Sequence, residues 1–177
     1  MHLAASPRAY MRLKQEISHA ISSGLVSRES PISFEQAQKL PYLQAVIWEG
    51  FRVGCPVHIG HYKVVPPGGD TVAGVFLPGG IAVGHNSLAL TKNTAVFGDS
   101  VHVFRPERFL ECDDDTRVSR LRALDIVFGG GRWMCSGKTV ALFELNKVTF
   151  EVSLLFVYRI YANSLTSSLC GRLTSKW

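Results

Sequence analysis

The sequence predicts a mainly α fold with a small β-sheet, an α+β arrangement. Two observations carry that expectation. Apolar residues recur every three to four positions over long stretches near both ends of the 177-residue chain. Between them, from Pro56 to Gly84, short β-branched runs are separated by Pro and Gly pairs. The composition is globular, with 46% hydrophobic and 19% charged residues, too apolar for a disordered chain.

The first element reads as a helix that Ser6 caps and Pro7 opens. Its stripe is Tyr10, Leu13, Ile17, Ala20 and Ile21, and Gly24 is its stop. Ser33 with Gln36 three residues on forms a capping box, which opens a short second helix. A third helix is expected from about Pro41 to Val53, with Leu43, Val46, Ile47, Gly50 and Phe51 inward. Glu49 and Arg52 sit side by side on the flank of that face. Three or four short strands with tight turns follow, and residues 85–98 are expected as a short helix and loop. Phe104 to Phe109 reads as irregular, and Cys112 to Arg122 as a polar surface loop. Leu124 to Phe128 is a short apolar run broken by Gly129-Gly130-Gly131. A strong helix is expected from about Ser136 to Phe156, with Val140, Ala141, Leu145, Val148, Val152 and Leu155 as its apolar positions. Beyond it, Asn163 to Trp177 reads as a solvated tail rich in Ser and Thr.

Several function classes fall away. Cys55, Cys112, Cys135 and Cys170 are too few and too scattered for a disulfide scaffold, and no C-x-x-C pair suggests zinc. Arg8, Arg12 and Lys14 are followed by no apolar run, so no signal peptide is read. The charge-free stretch from Thr71 to Thr91 fails as a membrane span because Pro78, Gly79 and Gly80 interrupt it. A net charge of +5 does not demand nucleic acid, and no base-stacking motif accompanies it.

The informative stretch runs from Phe128 to Thr139, F-G-G-G-R-W-M-C-S-G-K-T. One chemistry that uses such an element is phosphate binding by G-x-x-x-x-G-K-[ST]. Gly137-Lys138-Thr139 supplies the end of that motif, but Arg132 stands where the first glycine belongs. The other chemistry centres on Cys135. A cysteine just before a helix has N–H groups aimed at its sulfur, which favour the thiolate. The glycines let the backbone lie against a large planar ligand, and Phe128, Trp133 and Met134 are expected to screen the sulfur from water. A thiolate so held is an axial ligand for heme iron. The plainer alternative is a buried structural cysteine.

In its full setting this loop resembles that of the heme-thiolate monooxygenases, the cytochromes P-450. Their loop follows F-x-x-G-x-R-x-C-x-G, matched by Phe128, Gly131, Cys135 and Gly137. The following helix matches C-x-G-x-x-x-A-x-x-E through Ala141 and Glu144. Glu49 and Arg52 match the family's E-x-x-R, and Pro106 to Phe109 match its P-E-R-F element, in the family's order. The wording of the loop is most similar to fungal secondary-metabolism members. The resemblance implies the C-terminal part of that fold over residues 1–162, with 163–177 outside it. It implies heme b as cofactor and Cys135 as the iron ligand. It implies a buried network of Glu49, Arg52 and Arg108 behind the cysteine loop.

The arginine that usually binds a heme propionate is replaced by Trp133, with Arg132 one residue earlier. Trp133 carries no charge, so His61 or Lys63 is a candidate donor instead. The cofactor contacts expected overall are Phe128, Gly131, Arg132, Trp133, Cys135, Gly137, Ala141 and His61. Arg117, Arg120, Arg122, Arg132 and Lys138 form a basic cluster suited to an acidic electron donor, by resemblance an NADPH-cytochrome reductase. The other partner expected is a small organic substrate, met by the turn from Gly54 to Gly60. Family members of this type usually sit on the endoplasmic reticulum membrane through an N-terminal anchor, and no such segment is read here. The oxygen-activating helix that roofs the heme is also not read. A truncated monooxygenase is therefore the expectation, with a non-catalytic heme-binding or interaction fragment as the alternative.

Overall fold

The structure is a computed structural model that describes the backbone of residues 2–173, and the side chains of these except 60, 61 and 156–173. Helices α1 (Pro7–Ser22), α2 (Phe34–Gln38) and α3 (Pro41–Val53) come first. Strands β1 (Ile59–Val64), β2 (Asp70–Val72), β3 (Val75–Leu77) and β4 (Ala82–Asn86) follow. Then come α4 (Ser87–Thr91), α5 (Thr94–Phe97), α6 (Asp114–Asp125) and α7 (Lys138–Leu173). Short 3-10 turns occupy Pro106–Phe109, Ile126–Phe128 and Gly131–Trp133. The chain divides into two compact units, residues 1–49, 105–111 and 137–177 in the first, and 50–104 with 112–136 in the second.

In the first unit, α1 buries Leu13, Ile17 and Ala20, the inner part of its expected stripe, and Pro7 opens it; the Ser6 side chain makes no capping hydrogen bond, its backbone at φ −123 and ψ 80 lying outside the extended cap conformation. The capping box at Ser33 and Gln36 closes on both sides. Pro41 opens α3 and leaves the next amides without helical acceptors. Glu16 of α1 supplies them, its two oxygens accepting the Tyr42 and Leu43 N–H groups at 2.8 Å each. Burial pushes the Glu16 carboxyl up, against the pull of those two hydrogen bonds and of Arg12.

Helix α7 packs on α1 and α2 through a face other than the expected one. Asn146, Phe150, Ser153 and Leu154 are buried, whereas Val140, Val148, Val152 and Leu155 are exposed. The helix is apolar on more than one side, so periodicity alone does not select the packed face. The choice is made by polar matching. Gln44 Nε2 donates to Asn146 Oδ1 at 2.7 Å, and Glu151 accepts the Ile32 N–H at 2.9 Å. The helix continues past residue 162 to Leu173, so the change of composition at Asn163 is not a change of backbone. Residues 174–177 of the expected tail lie outside the described residues.

The second unit holds two separate two-stranded antiparallel sheets, β1 with β4 and β2 with β3, in place of one small sheet. The register of β1 on β4 pairs Ile59 with Asn86 and Lys63 with Val83, with an irregularity between Gly60 and Lys63. Gly79 crosses Pro66 and Pro67 so closely that a Cβ there would stand 2.6 Å from the Pro66 carbonyl oxygen. The Pro-Pro-Gly-Gly and Pro-Gly-Gly segments are thus fitted to each other.

Cys112 to Arg122 is not a loop: α6 covers most of it. The helix has no apolar stripe to give it away. It is instead held by its ends. Asp113 Oδ1 accepts the Thr116 N–H at 2.8 Å, Asp114 and Asp115 lie in the first turn, and Arg122 lies in the last. Residues 85–98 form two short helices, α4 and α5, each opened by an asparagine side chain that accepts a backbone N–H.

Candidate functional site

Glu49 and Arg108 meet in the first unit, both essentially without solvent contact. Arg108 Nε donates to the two Glu49 carboxylate oxygens at 3.1 and 2.9 Å. The same carboxylate accepts the Arg105 backbone N–H at 2.8 Å, so it holds the Pro106–Phe109 turn by main chain as well as side chain. The flank position expected for Glu49 is therefore a buried one. Sequence reasoning also missed a second brace on this turn. Tyr42 Oη donates to Glu107 at 3.0 Å, and Arg12 Nη1 reaches the same oxygen at 3.4 Å. Burial works to raise the Glu107 carboxyl, but its own backbone N–H, the Tyr42 hydroxyl, Arg8 and Arg12 together hold it below the usual range. The Tyr42 phenol is pushed well up, by burial first and then by Glu107. The signal available was Glu107 itself, an acid inside a matched motif with no assigned partner.

Arg52 belongs to the second unit and is also buried rather than on a flank. Its Nη1 donates to the Thr91 and Val101 carbonyl oxygens at 3.1 and 2.7 Å, and its Nη2 to Val103 at 3.1 Å. Its guanidinium lies 5.7 Å from the centroid of Phe97. One side chain thereby ties three carbonyls of the 91–103 segment.

The cysteine loop leaves α6 through Phe128, which is buried and packs on Phe51 with ring centroids 5.0 Å apart. The Cys135 N–H donates to the Phe128 carbonyl at 2.7 Å and closes the loop. Gly131 inside it has φ +57, a conformation that side chains other than glycine's rarely adopt. Cys135 is a free, exposed thiol. The expected screening by Trp133 and Met134 is not made, since they are 61% and 54% exposed. Only Phe128 is inward.

Gly129, Gly130, Arg132 and Trp133 of this loop line a cleft of about 860 Å³ with Tyr62, Lys63 and His85 of the β1–β4 pair. That volume is within the roughly 300–1,000 Å³ of small-molecule sites. No carboxylate lines it. A bare glycine wall, aromatic rings, cations and a thiol on the same loop are the donor set that suits a planar, acid-bearing iron macrocycle such as heme.

Of the residues expected from sequence, Phe128, Gly131, Arg132, Trp133 and Cys135 are brought together in one loop. His61 lies on β1, but its side chain is outside the described residues. Gly137 and Ala141 belong to the first unit, where the Ala141 N–H donates to the Gly137 carbonyl at 2.9 Å. The basic cluster is partly committed elsewhere. Arg117 pairs with Asp114 at 2.6 Å, and Arg120 Nε donates to the Val96 carbonyl at 2.9 Å. Cys55 and Cys112 are free thiols, and the Cys170 side chain is outside the described residues. Among the described residues no helix is long and apolar enough to cross a membrane.

Residues 1–156 match the family model for Cytochrome P450. The chain is 46% identical over 160 residues to Cytochrome P450 monooxygenase ABA1 of Pyricularia oryzae, covering 90% of this chain and 31% of that protein. It is 46% identical over 152 residues to Cytochrome P450 monooxygenase aba1 of Botryotinia fuckeliana, covering 86% and 30%. It is 35% identical over 165 residues to pisatin demethylase of Fusarium vanettenii, covering 93% and 30%. The chain thus spans about a third of the length of these curated relatives.

Proposed function

The chain belongs to the cytochrome P450 family, and on that premise we propose that it is the cysteine-bearing part of a heme-thiolate monooxygenase of fungal secondary metabolism. Bound heme b would supply the activation of O2 and the insertion of one oxygen atom into a small organic substrate, with electrons passed from NADPH by a reductase.

The residues of this chain would do the holding. Cys135 would ligate the iron through its thiolate. The hydrogen bond from its own N–H to Phe128 fixes where the ligand's backbone lies, and Phe51 against Phe128 anchors the base of the loop. Glu49 with Arg108 fixes the Pro106–Phe109 turn, and Arg52 fixes the 91–103 segment. The turn from Gly54 to Gly60 would meet the substrate. Arg122, which is exposed, would be the part of the basic cluster left to face an acidic reductase. Residues 1–162 would form the family domain. The single observation that carries the reading is the free, exposed Cys135 on a glycine loop that also walls the cleft.

A second reading is a non-catalytic heme-binding or interaction fragment. Expressing the chain with heme supplied, reducing it and adding carbon monoxide tests both. A thiolate-type band lost in Cys135→Ala supports heme ligation. Such a band without substrate oxidation favours the fragment, which is the result expected of this chain by itself, since one wall of a pocket neither excludes water nor orients a substrate.

A further inference from the structure

We propose that Ser30 is a phosphorylation site for a proline-directed protein kinase, and that its phosphate, by repelling Glu151, loosens the connection between α1 and α2 from α7. This goes beyond the heme reading and does not depend on it.

Two serines in the chain stand directly before a proline, Ser6 and Ser30. A following proline keeps its serine out of the helical region and presets it extended, and it brings no N–H of its own. A kinase cleft that takes its peptide extended, and offers no acceptor at the next position, selects for both properties. The surroundings separate the two candidates. Pro7 opens α1, so the chain after Ser6 is helical, and Ser6 is only partly exposed. Residues 23–33 lie outside helix and strand, and residues 27–31 are all exposed. The neighbouring serines already have tasks. Ser27 Oγ accepts the Glu29 N–H at 3.1 Å, and Ser33 Oγ accepts the Gln36 N–H at 3.2 Å within the capping box. In the reaction the Ser30 Oγ attacks the γ-phosphorus of ATP and the bond to the bridging β-phosphate oxygen breaks. The hydroxyl proton passes to the kinase's catalytic aspartate and ADP leaves.

The exposed segment is an arch fastened at both ends. The Val26 N–H donates to the Ala20 carbonyl at 3.2 Å, and Ile32, fully buried, donates its N–H to Glu151 of α7 at 2.9 Å. A phosphoserine carries about −1.5 to −2 charges at neutral pH. Ile32 follows Ser30 by two residues, so chain dimensions put the phosphate within about 11 Å of the Glu151 carboxylate. Glu29 adds a like charge beside it, and Arg28 an opposite one. Lys147 lies one turn before Glu151 on α7, where it is held over the Phe143 ring at 5.2 Å. The separation is comparable with the screening length of about 8 Å at physiological salt, so the repulsion is weakened and not abolished. The contact it opens is the Ile32–Glu151 hydrogen bond.

The test incubates the full chain with a purified proline-directed kinase and ATP and maps the product by mass spectrometry. One phosphate is expected on Ser30, and none in that position in Ser30→Ala. Pro31→Ala is expected to react about tenfold more slowly, since it brings an N–H that the cleft leaves unpaired. Incorporation at Ser6 as fast as at Ser30, or none at Ser30, overturns the site. Amide exchange at Ile32 tests the consequence. Phosphorylated wild type is expected to exchange there about threefold faster than the unmodified chain. Phosphorylated Glu151→Gln is expected to exchange no faster than unmodified Glu151→Gln, because the glutamine oxygen still accepts the N–H but carries no charge. Unchanged exchange in wild type, or the same acceleration in Glu151→Gln, overturns the effect on α7.

Discussion

The Glu49–Arg108 pair and the Cys135 loop are the two most informative parts of the chain, and they are built on opposite principles. Glu49 is 0% and Arg108 3% exposed; the two charges meet each other, and the Glu49 carboxylate also accepts a backbone N–H. From Gly130 to Gly137 every residue is exposed. The pair satisfies itself within residues of this chain. The loop is pinned at its ends, by Phe128 on Phe51 and by the Cys135 N–H on the Phe128 carbonyl, and offers its remaining surface outward. The difference teaches that a motif residue can be conspicuous for two unlike reasons, because it holds the frame or because it meets a ligand. Substitutions should separate the two.

The largest effect on folding is expected at the pair. Arg108→Ala leaves the Glu49 carboxylate buried without its guanidinium. Breaking a buried pair from one side costs about 3–5 kcal/mol. Urea denaturation should show an unfolding free energy lower by that amount or no cooperative unfolding at all, and heme uptake should vanish with it. A variant of unchanged stability and normal heme content would remove the distinction drawn above.

A smaller loss is expected at the second brace of the same turn. Tyr42→Phe deletes the hydroxyl donor to Glu107, and hydrogen bonds to charged groups contribute about 1.5–3 kcal/mol. The brace also has a pH signature. Burial acts to raise the Glu107 carboxyl, but hydrogen bonding and the two arginines leave its folded pKa below the ordinary value of 4.5. A carboxyl depressed on folding contributes stability that is present above its unfolded pKa and lost as pH falls through the folded one. Wild type should therefore lose stability from about pH 4.5 downward, and Glu107→Gln should lose less over that window. Glu16, raised by burial, titrates with the opposite sign, so the comparison is made between variant and wild type at each pH.

Below that comes the cap of α6. Asp113→Ala removes the acceptor for the Thr116 N–H, and should shift the urea midpoint less than Tyr42→Phe while speeding hydrogen exchange at residues 114–117. This helix also marks the limit of what was legible. Where an apolar stripe with an opening proline, or a capping box, marked a helix, as in α1, α2 and α3, the elements stood out in the sequence. In α6 only the caps and end charges spoke, and a reading that weighs apolar period first passes over them. In α7 the apolar residues outnumber the face that packs, so the partner side chains Gln44 and Asn146 decide, and no local pattern shows them. For the site, cysteine, glycines and charged motifs were legible because their spacing is fixed by the loop they make. His85 and Tyr42 were not, since what recruits them is the β1–β4 register and the fold of the Pro106 turn.

The smallest effect on stability, and the sharpest use of the comparison, is expected at Cys135. Its backbone N–H makes the loop-closing bond to Phe128, and alanine keeps that N–H. Its side chain is exposed and free, so truncation creates neither a cavity nor an unpaired buried group. Surface changes of this kind usually stay within about 0.5 kcal/mol. Cys135→Ala should therefore unfold in urea almost as wild type does and yet lose the thiolate-type carbon monoxide band completely. Arg108→Ala should lose the band only together with the fold. If Cys135→Ala instead destabilised the chain by several kcal/mol, the thiol would be part of the frame, and the division between holding residues and ligand-meeting residues would fail at the position where it matters most.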